Sequence, residues 1–115
     1  MQTEPTKEFC FLYSTFPDSD SAHAAARALV TQKLAACVNV YPAMRSFYSW
    51  QGKLEDGPEV AVFIKMRRTD VDAAVAALRP LHPYSTPCFL VLPWEAGNAD
   101  YLAWAREATD RSAAS

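Results

Sequence analysis

LAACVNVYPAMRSFYSWQGKLEDGPEVAVFIKM, from Leu34 to Met66, decides the fold. Val38, Val40, Met44, Phe47, Tyr48 and Trp50 precede the Gln51-Gly52 pair, and Val60, Val62, Phe63 and Ile64 follow it. β-Branched and aromatic residues on both sides of a glycine-containing pair predict a hairpin with Trp50-Gln51-Gly52-Lys53 at its tip. Each arm can run ~14 residues, about 45 Å, roughly twice or more the common strand length. Pro42 and the Gly57-Pro58 pair mark expected bulges or breaks, since proline cannot donate to a central ladder. Arms of this length overhang a small domain. Phe47 to Leu54, with Tyr48 and Trp50, then needs a cover, because an isolated ribbon with exposed aromatics is neither stable nor soluble. A second copy of the same chain is the expected cover.

On the N-terminal side, residues 1–7 are polar, contain Pro5, and are expected to be a flexible leader. Phe9-Cys10-Phe11-Leu12-Tyr13 reads as a strand buried on both faces, stopped by Thr15-Phe16-Pro17. Asp18 or Ser19 caps a helix whose stripe is Ala22, Ala25, Ala26, Leu29, Val30 and Leu34. On the C-terminal side, Thr69 is placed to cap a second helix running to about Leu81, with Asp70 and Asp72 at its positive end. Val71, Ala74, Val75, Leu78 and Leu81 form its apolar face, and Pro80 with Pro83 closes it. Cys88-Phe89-Leu90-Val91-Leu92 lacks alternation and predicts a strand covered on both faces, ended by Pro93. Asn98 caps a last helix with Tyr101, Leu102, Trp104, Ala105 and Ala108 as its contact face, and residues 111–115 are an expected flexible tail. The order strand, helix, strand, strand, helix, strand, helix is an α+β, ferredoxin-like split βαβ arrangement with an additional C-terminal helix, one domain over residues 8–110. The crossover rule places both internal helices on one face of the sheet. One short terminal helix cannot cover the other face, and self-association again supplies the missing layer.

Composition narrows the function. A chain of 115 residues, 50% hydrophobic, has apolar residues enough for one core. The net charge of -2 and scattered charges speak against nucleic acid and anionic membrane as partners. No stretch of 18 apolar residues and no secretory leader pattern is present, so a cytoplasmic protein is expected. Cys10, Cys37 and Cys88 are an odd set without paired spacing, which fits reduced thiols. The basic aromatic block of RNA-binding ferredoxin-like domains is missing, and no Gly-rich phosphate loop appears. An enzyme would rest on Cys37 with His82, the one thiol and imidazole pair, without a third group to orient the histidine, so no catalytic activity is expected.

The blocks KLAACVNVYP, SFYSWQGKLED, EVAVFIK, LHPYSTP and LPWEAGNADYLAWA, in this order, resemble the successive blocks of the CutA family of divalent-cation tolerance proteins. The resemblance covers roughly Ser14 to Ala108. It implies a ferredoxin-like protomer similar to the PII signalling proteins, assembled as a homotrimer through its hairpins and C-terminal helix, with Tyr48, Trp50 and Trp104 at the interface. It also implies a cytoplasmic role linked to copper and other divalent metals. In members with suggested copper ligands, a cysteine precedes the Thr-x-Pro and two histidines precede Pro-Tyr. Those positions are Ser14 and Leu81-His82 here, so His82 alone keeps an imidazole. Cys88 stands where an acidic residue is common and can act as a soft ligand.

The metal candidates are therefore His82, Cys37 and Cys88, each with a structural alternative. Cys37 is a small buried hydrophobe or a soft-metal ligand, and His82 bonds free carbonyls at a helix end or binds metal. Tyr48, Trp50 and Trp94 read as packing or interface anchors. Glu59 and Lys65 are strand charges able to line a crevice between subunits. A PII-like small-molecule sensor using clefts between subunits is the alternative reading of function.

Overall fold

The computed structural model describes residues 2–112, and its longest elements are the two hairpin arms, Ala35–Trp50 and Lys53–Arg67. Gln51 and Gly52 join them with φ of 51° and 78°. Positive φ at both central residues is the type I′ geometry, whose twist matches that of the strands it connects. Glycine is required at the second of these positions. Pro42 does interrupt the ladder: the register slips between Tyr41 and Met44, and Ala43 takes a φ of 62°. Gly57 and Pro58 do not, and stay in register opposite Ser46 and Arg45. Pairing with the neighbouring N-terminal strand ends at Val60, so beyond it this arm has one neighbour and can hold a proline with its nitrogen on the unpaired side.

In chain order the elements are β1 (Thr3–Pro5), β2 (Phe9–Phe16), α1 (Ser19–Thr31), β3 (Ala35–Trp50), β4 (Lys53–Arg67), α2 (Val71–Leu78), β5 (Leu90–Pro93), β6 (Ala96–Asn98) and α3 (Ala99–Ala108). The main sheet runs β3-β4-β2-β5 with every pair antiparallel, which is the ferredoxin-like order. Asp18 caps α1, its carboxylate accepting from the Ser21 amide at 2.8 Å. Thr69 does not cap α2; a 3-10 turn, Arg68–Asp70, leads into the helix, and a second, Arg79–Leu81, follows it at Pro80. Leu12, Phe16, Leu29, Val62, Ile64, Met66 and Leu78 meet in one core between the sheet and the helices α1 and α2. The opposite face carries a smaller cluster, Phe9, Ala36, Leu102 and Ala105, under α3.

Two terminal expectations change. Residues 3–5 are a strand rather than a flexible leader: β1 pairs with β6, and the Thr6 amide donates to the Glu95 carbonyl at 3.1 Å. At the other end Arg111 holds Asp70 with both guanidinium nitrogens at 3.0 Å, while residues 113–115 of the expected tail lie outside the described residues. β5 is also shorter and barer than its apolar run predicts. It begins at Leu90 rather than Cys88, is the sheet's edge, and leaves Leu90, Val91 and Leu92 exposed in the single chain.

Candidate functional site

His82 ends the turn after α2 in an extended conformation, which swings its ring back under the end of β2. The ring is buried, stacked on Phe16 at 4.2 Å, and flanked by Tyr84 and Phe89. Its Nε2 lies 2.9 Å from the Thr15 carbonyl, and its Nδ1 accepts from the Tyr84 amide at 3.2 Å. A carbonyl only accepts and an amide N–H only donates, so this pairing selects the neutral tautomer protonated at Nε2. Ser14 Oγ is 3.4 Å from the same Nε2, and both ring nitrogens are thus engaged within the chain.

Burial pushes the His82 imidazole below its ordinary value, and the Thr15 bond and the Glu59 charge oppose that only partly. The folded pKa is depressed, so below about 6.5 the unfolded chain takes up a proton that the folded chain refuses. The stability from this group is complete above that pH and declines as pH falls toward the folded value. Urea midpoints measured between about pH 7.5 and pH 5 are expected to fall in the native protein and to fall less in His82→Gln. An equal decline in both would mean that other groups set the acid sensitivity.

Next to this histidine, a cavity of about 600 Å³ opens between the hairpin and the segment 83–88. Its sides include Ser46, Tyr48 and Trp50 of β3, Glu59 of β4, and Tyr84 with Cys88. The Tyr84 hydroxyl donates to Glu59 Oε2 at 2.7 Å. Burial first, and then Glu59, hold that hydroxyl protonated far above its usual range. The Cys88 thiol is likewise raised, by burial and then by Glu59, so it is a poor nucleophile at neutral pH.

The three sequence candidates for metal do not come together. Cys88 lines the cavity, and His82 backs it through Tyr84. Cys37 lies apart near the start of β3, opposite Lys65. Among the described residues no group of three or more His, Cys, Asp or Glu side chains is placed to hold a metal ion. Of the interface candidates, Tyr48, Trp50 and Trp104 are all exposed in the single chain. Lys65 does not reach this cavity and instead donates to the Tyr101 hydroxyl at 3.1 Å, in a second cleft lined by Trp94. The pairing of Glu59 with Tyr84 joins positions 25 apart on different elements, and no local sequence signal announces it.

The family model described as CutA1 divalent ion tolerance protein matches residues 10–108. A Xenopus laevis protein named Protein CutA homolog is 47% identical over 92 residues, 80% of this chain and 61% of its own length. The Divalent-cation tolerance protein CutA of Pectobacterium atrosepticum is 40% identical over 104 residues, 90% of this chain and 94% of its own. The chain therefore spans less than two thirds of the animal relative and nearly all of the bacterial one. A solved structure from Archaeoglobus fulgidus, titled as the periplasmic divalent cation tolerance protein CutA, superposes with a TM-score of 0.85 at 35% identity, over 89% of this chain and 99% of that one.

Proposed function

We propose a function from one premise, that the chain belongs to the family of CutA1 divalent ion tolerance proteins. On that premise it acts as a cytoplasmic homotrimer that binds copper or another divalent cation and catalyses no reaction. The observation that carries the reading is the pair of uncovered apolar edges. Phe47, Trp50 and Leu54 are 67%, 57% and 80% exposed on the hairpin, and Leu90 to Leu92 are bare on β5. Phe47 and Trp50 on β3 and Leu90 to Leu92 on β5 lie at opposite edges of the sheet, since β3 and β5 are its outer strands, and Leu54 sits beside the first pair on β4. Where two copies do not reciprocate such a contact it is head-to-tail, and closing head-to-tail contacts makes a ring of three or more copies, of which the trimer is the smallest. Light scattering is expected to give three times the 12.8 kDa chain mass, and a mass of one chain would remove the proposal.

The cytoplasmic placement is supported by the three cysteines, all of them free, and no helix among the described residues is long and apolar enough to cross a membrane. The absence of catalysis is supported by Cys10 and Cys88, whose thiols burial holds in the protonated form. For metal, thiols favour Cu(I), and His82 must surrender a hydrogen bond before it can offer a lone pair. Cys88, which opens to the cavity, is the leading candidate; Cys37 is a thiol at a separate position, and His82 is the weakest of the three. Competition with a Cu(I) chelator under reducing conditions is expected to show a loss of retention of about tenfold in Cys88→Ser, with His82→Ala changing retention less. Equal retention in Cys88→Ser, Cys37→Ser and His82→Ala would assign all of these residues to structure.

A further inference from the structure

We propose that the cleft beside the start of α3 binds a small monocarboxylate with an aromatic body, its carboxylate received by Lys65 and Tyr101. The cleft measures about 410 Å³, and its walls include Phe11 of β2, Lys65 of β4, Trp94 and Glu95 after β5, and Tyr101 of α3. None of its lining residues belongs to the hairpin tip, 47–54, or to Leu90 to Leu92, the surfaces that assembly covers. The Lys65 ammonium is half-buried, donates to the Tyr101 hydroxyl at 3.1 Å, and makes no ion pair among the described residues. A cation drawn out of water without a counter-charge is costly, and an ammonium with three N–H donors has two left for an anion. Tyr101 spends its oxygen as the acceptor, so its own proton is free to donate to the same guest. Two donors this close suit the two oxygens of one carboxylate.

The apolar part of the ligand has rings to meet. Trp94 lies 5.4 Å from Phe11, edge to face, and 6.4 Å from Tyr101, so an incoming ring extends an aromatic cluster that already exists. The volume is that of a small-molecule site. Trp94 also carries an unmet donor, since its Nε1 is buried without a hydrogen-bond partner among the described residues. Such groups are rare and call for an acceptor from outside the chain. Glu95 limits the charge of the guest. It is the one carboxylate in the lining and does not pair with Lys65, so a second negative charge on the ligand meets repulsion. Phosphate and dicarboxylates are therefore disfavoured. A hard divalent cation is disfavoured as well, because the ammonium repels it and a single carboxylate supplies too few oxygen ligands.

The test is an NMR titration of the ¹⁵N-labelled native assembly with sodium benzoate, followed at the Trp94 indole N–H, with sodium chloride as the ionic-strength control. Neutral benzamide, similar in shape, and the dianion isophthalate are the comparison probes. Benzoate is expected to give a saturable shift, benzamide none, and isophthalate binding about tenfold weaker than benzoate. Lys65→Gln removes the charge and is expected to weaken benzoate about tenfold, while Lys65→Arg keeps the charge and recovers part of that loss. Tyr101→Phe keeps the ring, removes one donor, and is expected to weaken benzoate about threefold. Glu95→Gln is expected to bring isophthalate close to benzoate. Equal response to benzamide, isophthalate binding as tightly as benzoate, undiminished binding in Lys65→Gln or in Tyr101→Phe, or no saturable shift at Trp94, as when a neighbouring copy fills the cleft, would each overturn the proposal.

Discussion

Trp50→Ala is expected to convert most of the assembly to smaller species at micromolar concentration, while Trp104→Ala leaves most of it intact. Trp50 sits at the last position of β3, against Lys53 across the turn, where the hairpin has no support other than its own ladder. Burying a tryptophan that is 57% exposed gives the largest gain available to any side chain at the tip, and truncation of such an anchor costs about 2–4 kcal/mol. In a ring the change is made once at each contact, so the loss multiplies across the assembly. Trp104 is 46% exposed, but it already packs on Tyr101 at 5.4 Å along α3 and has less to gain from a neighbour. Sedimentation velocity at several concentrations separates the two. Equal dissociation in both variants would make α3 as important as the hairpin, and an unchanged Trp50→Ala assembly would move the contact away from the tip.

The hairpin was legible in the sequence because its signals are local: a glycine at the second of the two turn positions that take positive φ, and aromatic and β-branched residues on both sides. The bulge at Pro42 followed from the same logic, whereas Pro58 obeyed a rule that sequence cannot express, since its tolerance depends on where the neighbouring strand stops. β1 escaped notice because Thr3–Pro5 has no apolar pattern and is a strand only through Ala96–Asn98, more than ninety positions away. The blocks named His82 and Ser14 as related positions, and the fold does bring them within 3.4 Å. What the blocks could not show is that the imidazole is consumed by Thr15 and Tyr84, which depends on a ring orientation set by Phe16. Glu59 read as a strand charge able to line a crevice, but its partner could not be named, because Tyr84 lies 25 positions away in a segment with no regular pattern.

Phe16→Ala is expected to lower the stability of the folded chain by about 3–5 kcal/mol, the range for removing a fully buried phenylalanine. Phe16 is completely buried at the end of β2, paired across the ladder with Val60, and its ring carries the stacked imidazole of His82. Truncation leaves a void that strand backbone on one side and the capped start of α1 on the other cannot readily close. With a total stability of about 5–15 kcal/mol for a domain of this size, the loss is a large share of what holds the chain together. It also removes the apolar wall that keeps His82 dry, so the imidazole pKa should rise toward its ordinary value and the decline in stability below about pH 6.5 should shrink. Urea unfolding at one fixed protein concentration measures the first effect, because association adds concentration-dependent stability that must be held constant. Repeating it at about pH 5 measures the second. A loss under about 1 kcal/mol would mean that the core relaxes around the missing ring. A loss of the full size with unaltered pH dependence would mean that His82 is kept neutral by its two hydrogen bonds rather than by burial against Phe16.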